Sequence, residues 1–217
     1  MNNKFKTITT LLALAGLLVG CGSSGSSSKN TKAGYKGVFV DSPVAGVSYS
    51  CGGAAGTTDA NGVFGVCPFG SSVTLSIGNV ELGTVPPTSD NIFTPQDLVG
   101  VDRETTNNEK VNIMASLLLS LDSDPSTPGI SITPEIVTAF EVAVPTATPI
   151  AEMNEEKIET AVEVTNEALP EEIKAEIHLE VVPVEEAAAH LVETAAAIDA
   201  GVIIAPEQPV ILDDSTN

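Results

Sequence analysis

The chain has 217 residues and is 42% hydrophobic but only 4% aromatic, with no Trp, so a core must be built from Val, Ile, Leu and Ala and suits one domain or two small ones. All 29 acidic residues lie at or after Asp41. From residue 37 onward four basic residues stand against them, a balance of −25 that makes nucleic acid and anionic head groups poor partners and favours cations or basic peptides.

Lys4 and Lys6 precede an apolar run from Leu11 to Val19, too short to remain as a membrane-spanning helix, and Leu18-Val19-Gly20-Cys21 closes it. This signature resembles the lipobox of bacterial lipoproteins. The resemblance implies loss of a signal peptide at 1–20 and lipidation of Cys21, with a diacylglycerol thioether and an N-acyl chain. Gly22, which is not acidic, then favours the outer membrane over inner-membrane retention. With Cys21 so used, Cys51 and Cys67 remain outside the cytoplasm, where a disulfide persists. Such a bridge closes a loop of about 17 residues and contributes about 3 kcal/mol. The alternative, two free thiols or a soft-metal pair, has no third or fourth cysteine ligand to support it.

Residues 21–36 are Gly/Ser-rich and read as a flexible tether on the order of 20 Å long. From Gly37 the period becomes two: Val38 and Val40; Val47, Tyr49 and Cys51; Val73, Leu75 and Ile77; Val80 and Leu82. Ser42-Pro43 breaks the first strand, Asp59-Ala60-Asn61-Gly62 fits a hairpin loop, and Gly78-Asn79 fits a type II′ turn. The Asp59–Gly62 hairpin would set residues 51–57 beside 63–67, with Gly52-Gly53 absorbing the offset between the cysteines as a bulge. Residues 37–85 are therefore expected to form a disulfide-stapled antiparallel sheet or sandwich.

A helical region packed on it follows over 86–143. Thr94-Pro95 with Asp97, and Thr133-Pro134-Glu135, each supply an N-cap with Pro at N1, and Val111, Met114, Leu117, Leu118 and Leu121 mark one helix face. The Ala/Glu-rich stretch 144–201 predicts acidic helices over 151–168, 171–180 and 184–199. In the first, like charges recur at i, i+4, as in Glu155 with Glu159. A loose tail occupies 202–217. The fold class is thus α+β: a small antiparallel sheet or sandwich with one disulfide, then acidic helices.

Several segments together, Val40-Asp41-Ser42-Pro43-Val44-Ala45-Gly46, Thr94-Pro95-Gln96-Asp97-Leu98, Leu121-Asp122-Ser123-Asp124 with Gly129-Ile130, and Glu185-Glu186-Ala187 with His190-Leu191, resemble surface and periplasmic lipoproteins of bacteria. The front half, through Thr58-Asp59-Ala60-Asn61-Gly62-Val63-Phe64, is similar to the carboxypeptidase-regulatory or transthyretin-like β-sandwich. That resemblance implies a non-catalytic module used in surface and adhesive proteins.

Nucleophilic catalysis needs a nucleophile, a base and an orienting group. The sequence has no Gly-x-Ser-x-Gly or His-Glu-x-x-His motif, and its only histidines are His178 and His190. The spacing of His190 and Glu193 predicts a hydrogen bond within one helix. Asp122-x-Asp124 with Gly129 resembles an oxygen-rich calcium turn, although Pro125 and Pro128 interrupt it, so weak calcium binding is the one ligand chemistry in view and no other cofactor is expected. The expectation is a lipid-anchored envelope protein, not an enzyme, that binds, adheres or scaffolds through a protein or envelope-polymer partner. The alternative is a periplasm-facing accessory lipoprotein, an assembly factor or inhibitor, that meets a basic partner or cations through its acidic helices.

Overall fold

The computed structural model describes residues 32–208 and 210–212. The leader, Cys21 and the tether before Lys32 lie outside the described residues. In chain order the strands are β1 (Lys32–Phe39), β2 (Val44–Ala45), β3 (Ser48–Cys51), β4 (Ala54–Thr57), β5 (Val63–Pro68), β6 (Val73–Ile77), β7 (Val80–Val85) and β8 (Ile92–Phe93). Then come α1 (Pro95–Val99), α2 (Glu109–Ser120), β9 (Ile130–Ser131), α3 (Pro134–Ala143) and β10 (Thr148–Pro149). A 3-10 turn (Ile150–Glu152) leads into α4 (Glu155–Ala168), α5 (Glu171–Lys174), α6 (Val184–Asp199) and β11 (Val210–Leu212).

The strands divide between two main sheets. One has the order β11-β1-β5, with β8 parallel to β1, and the other runs β10-β7-β6-β3-β4; β2 and β9 form a separate parallel pair. The Gly78-Asn79 turn joins β6 to β7 as expected, with Ile77 opposite Val80 and Gly78 at φ 49°. The other hairpin lies elsewhere than expected. Gly52 and Gly53 are its two central residues, at φ 52° and 93°, the pattern of a type I′ turn, and they pair β3 with β4. Asp59–Gly62 instead carries the chain from one sheet to the other, because β5 pairs with β1 rather than β4. A two-residue turn closes at less entropic cost than the longer loop, and crossing over lets β5 bury Phe64 and Cys67.

The Cys51–Cys67 disulfide consequently joins β3 of one sheet to β5 of the other, with Cα atoms 5.4 Å apart. Around it, Phe64 contacts Tyr35, Tyr49 and Phe93, with ring centroids 5.0–6.4 Å apart. Gly37 makes this packing possible: a Cβ there would lie 2.1 Å from Phe64 Cζ and 2.5 Å from Phe93 Cε2. A chain with few aromatics has placed four of them in one cluster between the sheets.

The strand start corrects the expected 21–36 tether, because Lys32 to Lys36 belong to β1 and Tyr35 is buried in the aromatic cluster. The 202–217 tail is also tied down where it is described: β11 pairs with β1, and the Gln208 amide bonds both Lys36 N–H and Lys36 C=O.

Both Thr-Pro starts cap helices. Thr94 Oγ1 accepts from Asp97 N–H while Asp97 accepts from Thr94 N–H, and Thr133 Oγ1 accepts from Ile136 N–H. Helix α2 is buried on more than the single face that its spacing predicts. Ile113, Met114, Leu117 and Leu118 join the main core, while Val111 and Ala115 pack against Ala187 and Leu191 of α6. Helix α4 forms despite its like-charge pairs because Ile158, Ala161 and Val162 enter the main core and its glutamates face water. The expected 171–180 helix stops at Lys174. Beyond it, Asn166 bonds the N–H and C=O of Leu179, and Ser116 and Ser120 bond the C=O and N–H of Val182, so side chains satisfy an extended backbone. Among the described residues, no helix is long and apolar enough to cross a membrane.

Candidate functional site

Val40-Asp41-Ser42-Pro43 makes the turn from β1 into β2. Pro43 forms an isolated bridge with Val40, and Ser42 is left at φ 59°, a left-handed conformation that costs a non-glycine residue about 1–3 kcal/mol. Helix α6 lies over this turn. Its one-turn spacing sets His190 and Thr194 on the same face, and Thr194 Oγ1 accepts from Ser42 N–H at 3.0 Å.

His190 reaches two partners there. Its Nδ1 is 3.0 Å from Asp41 Oδ1, and its Nε2 is 3.2 Å from Ser42 Oγ. An ionised carboxylate only accepts, so Asp41 requires the proton on Nδ1, and a neutral ring then accepts the Ser42 hydroxyl proton at Nε2. The expected hydrogen bond to Glu193 is not the one formed: both ring nitrogens are taken by the β1–β2 turn, and Glu193 is exposed on the helix. His178 is also exposed.

Asp41 is fully buried, and its Oδ2 has no hydrogen-bond partner among the described residues. Burial pushes the Asp41 carboxyl above the ordinary carboxylate range, opposed by the hydrogen bond and charge of His190 and by the nearby Thr194 hydroxyl. The Asp41 hydrogen bond pushes His190 upward against its own partial burial, with the charges of Asp41, Glu193 and Asp122 adding to it. For this pair the upward direction at His190 governs the ionisation near neutral pH, because its ring keeps 26% exposure while Asp41 has none.

A cavity of about 290 Å³ opens beside the pair, lined by Ser42, Leu119, Asp122, Gly129, Glu186 and His190 among others. Its far wall is the loop from Asp122 to Ser131. That loop is fastened where Ile130 N–H donates to Pro43 C=O at 2.9 Å and β9 pairs with β2. Asp122 Oδ1 accepts from Asp124 N–H at 3.2 Å and Ser131 N–H at 2.9 Å, and Asp124 Oδ1 accepts from Ser126. Burial raises the Asp122 carboxyl, only partly offset by those N–H donors. Asp122 and Asp124, where weak calcium binding is expected, also serve as acceptors within the turn. No group of three or more His, Cys, Asp or Glu side chains able to hold a metal ion occurs among the described residues. Asp59 likewise accepts from Asn61 N–H and Val63 N–H to shape its own turn.

Asp41, Ser42 and His190 were invisible to motif reasoning as one group. Ser42 and His190 stand 148 positions apart, and no fixed spacing links a turn after the first strand to the last helix. No family model matches this chain, and no curated protein or solved structure matches it.

Proposed function

We propose that the chain is a lipid-anchored cell-envelope protein, held in the outer membrane through Cys21, whose folded body acts as a binding, adhesive or scaffolding module. The observation that carries this reading is the Cys51–Cys67 disulfide between the two sheets, a bond that persists in compartments outside the cytoplasm. It agrees with a leader that ends in Leu18-Val19-Gly20-Cys21. The sequence resemblance of the front half to the transthyretin-like β-sandwich supports the choice of a binding module, although the Asp59–Gly62 turn crosses between the sheets rather than closing a hairpin.

The test is protease accessibility on intact and permeabilised cells, with Cys21→Ser as control. Digestion on intact cells together with release of the Cys21→Ser protein from the membrane supports a surface module. A Cys21→Ser protein that stays anchored defeats the reading.

A second reading, a periplasmic accessory protein that meets a basic partner, draws on the outer side of α4, where Glu155, Glu156, Glu159, Glu163 and Glu167 are all exposed. Digestion only after permeabilisation, with salt-sensitive cross-linking to a basic protein, favours it over the first.

A further inference from the structure

We propose that Ser42, His190 and Asp41 form a nucleophilic serine centre that cleaves small neutral or cationic carboxylic esters at the cavity walled by the Asp122–Ser131 loop. The inference goes beyond the anchoring and binding reading and does not depend on it.

The geometry meets the requirements of such a centre in turn. Ser42 lines the cavity, and its Oγ is 3.2 Å from His190 Nε2, within reach for proton transfer. The opposite ring nitrogen, Nδ1, is held at 3.0 Å by the buried Asp41 carboxylate, which selects the tautomer whose Nε2 is the base. Ser42 stands at φ 59° on a sharp turn between two strand segments, an orientation secured by Thr194 on α6 and by the Val40–Pro43 bridge. Fastening of α6 to the sandwich accounts for the contact between His190 and Asp41. The Ser42 hydroxyl adds one bond to that fastening, but the fastening gives no reason for keeping a buried carboxylate with one unpartnered oxygen, which costs about 1–3 kcal/mol.

Ser42 Oγ attacks the acyl carbon, forming the Oγ–C bond as its proton passes to His190 Nε2. The bond to the alkoxide breaks, and His190 returns the proton to the departing alcohol. Water then attacks the acyl carbon and gives a proton to His190. The Oγ–C bond breaks, Ser42 recovers its proton and the carboxylic acid leaves, so ester and water become acid and alcohol with no other reactant. Ser42 and His190 are the catalytic residues, and Asp41 positions His190.

Two features define the substrate and the rate. Asp122 and Glu186 line the same cavity and repel anionic acyl groups, while about 290 Å³ suits a small acyl chain. The residue after Ser42 is Pro43, which has no N–H to offer a developing oxyanion. The Ser42 N–H is also taken, donating to Thr194 Oγ1, and the absence of each such donor costs about 10²–10³ in rate, which restricts the centre to activated esters with good leaving groups.

The full-length protein in detergent micelles is treated with a neutral alkyl fluorophosphonate, and the adduct is mapped by peptide mass spectrometry. The expected result is a single adduct on Ser42, with p-nitrophenyl acetate hydrolysis lost in proportion to labelling. Labelling rises with pH as His190 loses its proton; the charged groups around that ring are Asp41 from the β1–β2 turn, Asp122 from the loop after α2, and Glu186 and Glu193 on α6. Ser42→Gly abolishes the adduct while relieving the positive φ, so it stays folded. His190→Gln slows labelling about 100-fold or more. Asp41→Asn moves the pH midpoint of labelling downward, a readout that a merely structural role would not move. An unlabelled Ser42 in wild-type protein with an intact cooperative melt, or labelling indifferent to pH and to His190→Gln, overturns the proposal.

Discussion

His190 Nδ1 lies 3.0 Å from Asp41 Oδ1, a contact across 149 residues that fastens the last helix to the turn after the first strand. Both groups titrate above their ordinary values in the folded protein, and the two directions act with one sign. The folded state favours protonated His190 because of the Asp41 hydrogen bond, so this stabilisation is complete below about pH 6.5 and is lost as pH rises through the folded value. Asp41, raised by burial, also binds its proton more tightly when folded and loses stability as pH climbs above 3.8. Thermal melts from pH 6 to 9 are expected to show a falling midpoint. The slope should flatten in the Asp41→Asn/His190→Gln double variant, and an unchanged slope there would remove the pair as its cause.

The disulfide between β3 and β5 adds a covalent tie between two sheets that the Asp59–Gly62 turn already connects along the chain. Replacing both cysteines with alanine is expected to cost about 2–5 kcal/mol, read as a lower midpoint in urea. Dithiothreitol should destabilise the wild type and leave the double variant unaffected.

Arg103 gathers the start of α1 and the approach to β8. It holds Asp90 by both oxygens, Asp97 through Nε at 3.2 Å and Ile92 C=O at 2.7 Å. Arg103→Lys keeps the charge but loses the fork, at a cost of about 1–3 kcal/mol. Burial pushes Asp90 up, yet the Arg103 bonds with those from Ile92 and Thr88 outweigh it and hold the carboxyl low. Stability from Asp90 is therefore present above pH 3.8 and lost as pH falls through its depressed value. Acid titration of Arg103→Ala should show a shallower loss below pH 4 than the wild type.

Phe64 is fully buried and touches the other three aromatics of the cluster or their neighbours from both sheets. Phe64→Ala is expected to cost about 3–5 kcal/mol, and Gly37→Ala about 1–3 kcal/mol through collision with the same ring. In the double variant the collision with Phe64 is gone and the Phe93 ring, 2.5 Å from the new Cβ, gains the Phe64 cavity to move into, so the summed costs should exceed the measured one. Strict additivity in chemical denaturation would show that the two positions do not share a packing site.

Contacts made within a few residues were legible in the sequence. Thr94 with Asp97, Thr133 with Ile136, and Gly78 with its turn partners lie close along the chain, so residue type and spacing determine them whatever the rest of the protein does. The α+β class and the pairing of Cys51 with Cys67 were also readable, one from a change of period and the other from the count of cysteines. Tertiary structure alone decided which strands pair. Whether β5 joined β4 or β1 depended on where Phe64 and Cys67 could be buried, a choice that alternation of apolar residues does not distinguish. It alone also placed His190 over Asp41 and Ser42, because the packing of Ala187 and Leu191 against α2 sets α6 over that turn, and residues so distant leave no periodic trace of the geometry that unites them.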